Sequence, residues 1–293
     1  MKNPEFQDQH KIPQVYLKQF GYEKNGHWKI SVLQVGEEFT RQKSIGSFSA
    51  ETNVFDIESD DERIHRLFEE INCDIENEYP DLLQDLDVNQ FLSEKSYAVL
   101  LQLIPNFICR SDYWRDWVLG LLQHENRENF VKVICAHRLK SIDNFESIEE
   151  ENYYRLMIDS PPEKAVNRAL LFFTEHLLRR IGHYKIVIIK SRDDKPWFTT
   201  DNPVVLDNRT ARHEIMTNDS ELYFSLSPKY LVYLNHVDSK DKANELRGYE
   251  TNKVHLATDE QNWVLQNKIM FNAVQFVLIA GESKYRKEEN ALQ

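Results

Sequence analysis

An α+β fold, with an antiparallel or mixed sheet built from the N- and C-terminal segments around a mainly helical middle block, is what this 293-residue sequence predicts. Three observations carry that reading. Residues 1–58 hold a short apolar helical face followed by strand-like alternation. Residues 59–182 repeat their apolar positions at helical spacing, and residues 183–293 return to β-branched runs and turns. A chain of this length can bury a sizeable core, and a single α+β domain covering 1–293 is expected.

The first segment opens on Pro13, Tyr16, Leu17 and Phe20, spaced i, i+3, i+4 and i+7 as one face of a short helix. Pro13 suits the first helical position and Gly21 the stop after the last. His10 then lies just ahead of the helix with a defined direction. Trp28–Val35 and Phe39–Phe48 follow as a hairpin joined near Gly36.

In the middle block, Ile64, Leu67, Phe68, Ile71 and Ile75 stripe a helix that should end before Pro80. Asn89–Ile108 is the next helix, with Pro105 as an interior kink. Ser111 should cap a third helix that buries Trp114, Trp117, Val118 and Leu121, and 126–138 forms a fourth. Ser160 to Glu163 reads as a capping box with proline in the first turn. Val166, Ala169, Leu170, Phe173, Leu177 and Ile181 form the stripe behind it, and Gly182 ends the helix.

Tyr184–Lys190 opens the last segment as a strand. Trp197–Thr200, Val204–Leu206, Leu222–Ser225 and Tyr230–Asn235 are further strands, Lys240–Asn267 is mostly helical, and Val274–Ala280 is a final strand.

Composition narrows the function classes. Hydrophobic residues at 41% and aromatics at 12% exclude a disordered chain. No apolar run approaches the roughly 18–20 residues of a membrane span, and the first residues lack an apolar signal core, so no membrane contact and a cytoplasmic location are expected. Cys73, Cys109 and Cys135 are widely spaced without a CxxC pair, which suits buried reduced thiols rather than a zinc site. The net charge of −12 argues against indiscriminate nucleic-acid binding. It is uneven, however: 56–81 carries eleven acidic and two basic residues. Arg179, Arg180, Lys185, Lys190, Arg192 and Lys195 form a basic stretch that could meet a nucleic acid or nucleotide, with an ordinary solvated hairpin as the alternative.

Several chemistries are absent. The eight glycines are isolated, so neither a phosphate loop nor a dinucleotide fingerprint exists. HExxH and GxSxG are missing, His176 and His183 straddle Gly182 in poor zinc geometry, and Arg209 with His213 falls short of a helical-ribonuclease spacing. A nuclease-like string, Glu282, Ser283 and Lys284, follows an apolar strand but sits among terminal residues, where a solvated tail competes.

What remains is a pair of polar punctuations. His10 precedes the first helix, and Thr199, Thr200 and Asp201 precede Asn202 and Pro203, where Asp201 can form an Asx-turn or point into a cleft. With these two motifs the chain resembles the bacterial family catalogued as domain of unknown function 4238, through His10, Pro13, Tyr16, Leu17 and Phe20 early and Thr199, Asp201 and Pro203 late. The likeness extends over almost the whole chain. It implies a shared fold and further site positions: Glu76 on the acidic helix, Arg110 after an apolar helix, and Asn267 before the last strand with Asn272 as its rival. Ser111 and Asp112 follow Arg110 where the family more often has a proline nearby. The resemblance implies no activity.

If these residues converge, His10 can act as general acid or base, a carboxylate (Asp201 or Glu76) can orient it, and Arg110 can stabilise an anionic transition state. That set suits a hydrolase or transferase acting on a phosphodiester or nucleotide-like substrate, nuclease-like in character, in a defence or toxin setting. Thr199, Thr200, Asn267, Arg179 and Arg180 would then bind substrate. No cofactor is expected; a magnesium-assisted version would rest on Glu76 and Asp201 alone. The competing reading is a non-enzymatic binding module that recognises a small anion, a peptide or a nucleic-acid end, with the helical block facing a protein partner.

Overall fold

The computed structural model describes residues 6–138, 147–207, 216–239 and 244–283. In chain order, β1 (Asp8–His10) leads to α1 (Gln14–Phe20), β2 (Tyr22–Lys24), β3 (His27–Gln34), β4 (Thr40–Ser44) and β5 (Ala50–Thr52). The helical block holds α2 (Glu62–His65), α3 (Leu67–Asn89), α4 (Glu94–Arg110), α5 (Asp112–Gln123), α6 (Arg127–Cys135), α7 (Asn152–Asp159) and α8 (Pro162–Ile181). The last segment contains β6 (Tyr184–Lys190), β7 (Thr199–Thr200), β8 (Val204–Asp207), β9 (Glu221–Ser225) and β10 (Tyr230–His236). It ends with β11 (Val254–Leu256), α9 (Asp259–Phe271) and β12 (Phe276–Ile279). The fold is α+β.

Two five-stranded sheets organise the strands. The first, ordered β11-β6-β10-β9-β8, is drawn wholly from the last segment and is antiparallel except where β11 runs parallel to β6. Both of its faces are covered. Ile186 and Ile188 pack into the core shared with the helical block, while Val187 and Ile189 join a second cluster with Trp197, Leu265 and Ile269. A strand buried on both faces reads as a continuous apolar run, as 186–189 does. The second sheet, β2-β3-β12-β7 with β4 also on β3, unites the two ends of the chain: Val32 sits opposite Leu278. A small β1–β5 pair places His10 opposite Ala50.

The main core takes residues from all three segments, from Ile12 to Leu278. Its helical wall is centred on α8, whose predicted stripe is fully buried, each such side chain contributing roughly 1.5–3 kcal/mol. No helix among the described residues is long and apolar enough to cross a membrane.

Several local expectations are corrected. Helix α3 runs through Pro80, because the proline lies on the exposed side and burial of Tyr79, Leu82 and Leu86 carries the helix onward. Pro105 lies inside α4, as expected, and the helix starts later than predicted, at Glu94 rather than Asn89. Ser111 occupies the N-cap position of α5, but its hydroxyl makes no capping bond and donates back to the Ile108 carbonyl at 3.0 Å. Pro161, not Ser160, occupies the cap of α8, and Glu163 accepts from Gln123 at 3.1 Å instead of closing a box. The capping box found belongs to Thr258 and Gln261 at the start of α9. Within 244–267 the chain forms a short 3₁₀ turn, β11 and only then α9. Cys73 is exposed, whereas Cys109 and Cys135 are buried.

Gly21 ends α1 as expected. Its φ of −82° is extended rather than left-handed, because α1 passes straight into β2. The residue is small for another reason: a Cβ there would lie 2.6 Å from Ile45 Cδ1 and 2.7 Å from the Lys29 carbonyl oxygen. Gly21→Ala is therefore expected to lower stability by about 1–3 kcal/mol. Gly120→Ala, on an exposed helix face where an added Cβ meets nothing within 4 Å, should raise it by about 0.5–1 kcal/mol. Urea midpoints of the two variants check this; a Gly21→Ala midpoint at or above wild type contradicts the packing argument.

Candidate functional site

Helices α3 and α4 lie side by side, and matching i, i+4 positions on each form two polar rungs between them. Asn106 donates to Asn72 at 2.6 Å, and one turn further Arg110 Nη1 donates to Glu76 Oε1 at 2.7 Å. The other guanidinium end, Nη2, donates to the main-chain carbonyl of His10, and the Arg110 plane lies over Phe55 at 5.3 Å. Arg110 is only 1% exposed, so its charge depends on Glu76 for compensation. Three residues expected to share a site, His10, Glu76 and Arg110, thus meet. They meet through the backbone of His10, not its imidazole.

The His10 ring is half-buried. Its Nε2 lies 3.1 Å from both the Gly46 carbonyl and the Gln14 amide nitrogen. The first contact needs Nε2 protonated and the second needs it bare, so a single tautomer makes one of the two. Glu69, three residues before Asn72, accepts from it at 3.2 Å. Burial pushes the Glu69 carboxyl above the usual carboxylate range, with Glu76 adding to the rise and Arg110, Asn72 and His10 opposing it.

Asp201 belongs to a different network. Its Oδ1 accepts from the Val274 N–H at 2.9 Å, and its Oδ2 accepts from Gln275 at 2.7 Å and Phe276 at 3.2 Å. Both oxygens are used in holding the end of β7 to the start of β12. Burial raises this carboxyl, and the three N–H groups draw it back. The local turn expected of Asp201 is made by Thr200, whose hydroxyl accepts from Asn202 N–H and donates to Asn202 O at 2.7 Å. Thr199 is fully buried against the Tyr16 hydroxyl at 2.6 Å. Asn272 donates to the carbonyls of Asn202 and Val204 at 2.7 and 3.2 Å, so it, not Asn267, serves this turn. Glu76 and Asp201 thus accept in separate hydrogen-bond networks. Among the described residues no group of three or more His, Cys, Asp or Glu side chains could hold a metal ion.

The basic stretch is divided. Arg179, Arg180 and Lys185 sit near the start of β6, and Arg192 and Lys195 beyond its end, roughly 20 Å away at strand rise. Arg180 donates to Met216 O at 2.7 Å, while Asp259 holds Lys195 at 2.6 Å and Arg192 at 3.3 Å. Of the nuclease-like string, Glu282 pairs with Lys24 at 2.6 Å; Lys284 lies outside the described residues, as do Arg209 and His213.

Two features escaped the sequence reading. Glu221, wholly buried on β9, accepts from Tyr223 at 2.6 Å, Tyr233 at 2.8 Å, Arg247 Nε at 2.9 Å and Asn244 at 3.0 Å. Burial alone would raise its carboxyl, but these donors hold it below the usual range. No sequence spacing signals this set. The second is a cleft of about 700 Å³ between α9, the 194–198 turn and the end of β12. Asn267 lines it, its Nδ2 donating to Trp263 O at 2.9 Å. So do Asn262, 4% exposed with an unpartnered Oδ1, and Gln266, whose Oε1 accepts from Phe198 N–H while its buried Nε2 has no partner. Each such group costs about 1–3 kcal/mol while unsatisfied. Trp263, 70% exposed, stands at the mouth.

The raised Glu69 carboxyl has a consequence with a definite sign. A folded-state pKa above the unfolded value means stability is fully present below about pH 4.3 and is lost as pH rises through the folded value. Glu69→Gln should therefore match wild type in acid and exceed it at neutral pH, as read from denaturation at a series of pH values. A wild type that gains on the variant as pH rises contradicts the assignment. Arg110→Ala, which strands Glu76 and frees the His10 carbonyl, should cost about 3 kcal/mol in the same measurement.

No curated protein and no solved structure matches this chain. The model of the family described as a protein of unknown function (DUF4238) matches residues 8–280, a span running from β1 past the end of β12. The chain belongs to that family.

Proposed function

We propose that this protein is a binding module, working in the cytoplasm, whose site is the cleft beside α9 and which recognises a small molecule or the end of a peptide or nucleic-acid strand. One observation carries the reading: a cleft of about 700 Å³ has a wall on α9 made of the amide residues Asn262, Gln266 and Asn267, under an exposed indole, Trp263. An aromatic face beside a few polar groups in a concave site is the usual make-up of a small-ligand pocket. By contrast, the charged groups expected to do chemistry, Glu76, Arg110 and Asp201, are engaged in bonds that hold elements together. In ¹H–¹⁵N spectra, adenosine, maltose and Gly-Gly, each added alone at millimolar concentration, should include at least one that moves the Asn262 and Gln266 side-chain amides and the Trp263 indole. Failure of all three to do so overturns the reading.

A second reading, a hydrolase or transferase acting on a phosphodiester or nucleotide-like substrate, is favoured by the half-exposed His10 imidazole within electrostatic reach of Glu69, a carboxyl raised by burial. Here His10 and Glu69 would exchange the proton, and Arg110 would position both through Glu76 and the His10 carbonyl. Single-stranded RNA, DNA and nucleoside triphosphates are the substrates to assay. Activity lost by at least 100-fold in His10→Ala and Glu69→Gln, with melting temperatures no lower than wild type, supports this reading; equal rates in the variants and wild type remove it.

A further inference from the structure

We infer that the cleft beside α9 takes a saccharide, one ring stacked on Trp263 with its hydroxyls on Asp259 and Asn267; this rests on the binding-module reading and names its ligand class. The geometry comes from α9 itself. Asp259, Trp263 and Asn267 stand at i, i+4 and i+8 of the helix, and all three line the cleft. Neighbours at that spacing have Cβ atoms about 5–6 Å apart, and the stripe covers about 12 Å of helix. The indole, 70% exposed, thus lies between a carboxylate one turn before and a carboxamide one turn after. A sugar ring has the matching form, an apolar C–H face with hydroxyls radiating from its edge. Stacked on the indole, it covers apolar surface while its hydroxyls reach both flanks.

The flanking groups are acceptors at the surface. Asp259 Oδ1 holds Lys195 at 2.6 Å and Arg192 at 3.3 Å, and its Oδ2 has no hydrogen-bond partner among the described residues. Asn267 donates through Nδ2 to Trp263 O and keeps its Oδ1 in contact with solvent. Asp194, exposed on the 194–198 turn, adds a further carboxylate to the lining. Each sugar hydroxyl brings one O–H donor, so acceptors on both sides of a stacked ring are answered by a ligand without charge. An aromatic base carries its few N–H donors along one edge and meets one flank only. An organic ammonium gains less, because the Asp259 carboxylate already holds two cations.

The test is calorimetric titration of the full chain with maltose, and with adenosine and Gly-Gly as the competing classes. Maltose should bind more tightly than either competitor. Trp263→Ala should weaken maltose by about tenfold or more, and Asn267→Ala by about threefold. Trp263 is exposed, so the first variant keeps the fold; Asn267, on the same rim, provides a second whose melting temperature should match wild type. Adenosine or Gly-Gly binding without maltose, or more tightly than maltose, overturns the ligand class and leaves the binding module standing. No binding by any of the three overturns both. Maltose affinity equal in wild type and Trp263→Ala overturns the stacked pose and the inference with it.

Discussion

A single buried phenol fixes how the two sheets sit against each other. Tyr16 donates to the Ser225 carbonyl on β9 at 2.7 Å and lies 2.6 Å from the Thr199 hydroxyl on β7, so one oxygen touches both sheets. Its ring stacks on Phe224 at 5.7 Å and meets Phe107 of α4 at 4.8 Å and Tyr79 of α3 at 6.1 Å. Tyr79 in turn donates to the Leu226 carbonyl. Burial drives the Tyr16 hydroxyl far above its ordinary range, so it stays a neutral donor. A fully enclosed hydroxyl with both partners supplied is worth most where a vacancy would leave a buried carbonyl and a buried threonine unsatisfied.

That pin has a second anchor six residues earlier. Arg110 holds the His10 carbonyl while Tyr16 holds the far side of α1, so the segment between them is fixed at both ends against the helical block. The Asp201 carboxylate then clamps β7 to the strand that returns from α9, and Asn272 closes the corner from the end of that helix. Glu76, Arg110 and Asp201, expected to be reactive, are thus tied into bonds that hold elements together.

What the sequence made legible were features with local causes. The apolar period of α8, the β-branched run of β6 and the face of α1 each follow from spacing that any neighbour of suitable shape can satisfy. What it hid depended on distant partners. Pro80 failed to end α3 because burial farther along outweighed one missing hydrogen bond, and Ser160 lies one residue outside the cap of α8, which Pro161 occupies. Asp201 looked like a short Asx-turn, yet its acceptors answer donors more than seventy residues on. The meeting of Glu76 with Arg110 was legible only as resemblance. Their helix spacing made the contact available, but nothing in the spacing said the guanidinium would finish on a main-chain carbonyl.

The two kinds of polar site here differ in what a ligand can gain. Glu221 and Asp201 are saturated, each oxygen answered by donors from the fold itself, and a substrate that recruited either would first have to break those bonds. A group in that state contributes rigidity. Beside the cleft, by contrast, Trp263 leaves most of its surface in solvent, so a ligand can cover it without first breaking a bond of the fold. The same accounting applies to His10, whose one ring nitrogen faces two mutually exclusive neighbours, so a proton arriving or leaving exchanges one hydrogen bond for another. Function in this fold is therefore sought where polar groups remain incompletely answered, and the most deeply buried charges are read as framework.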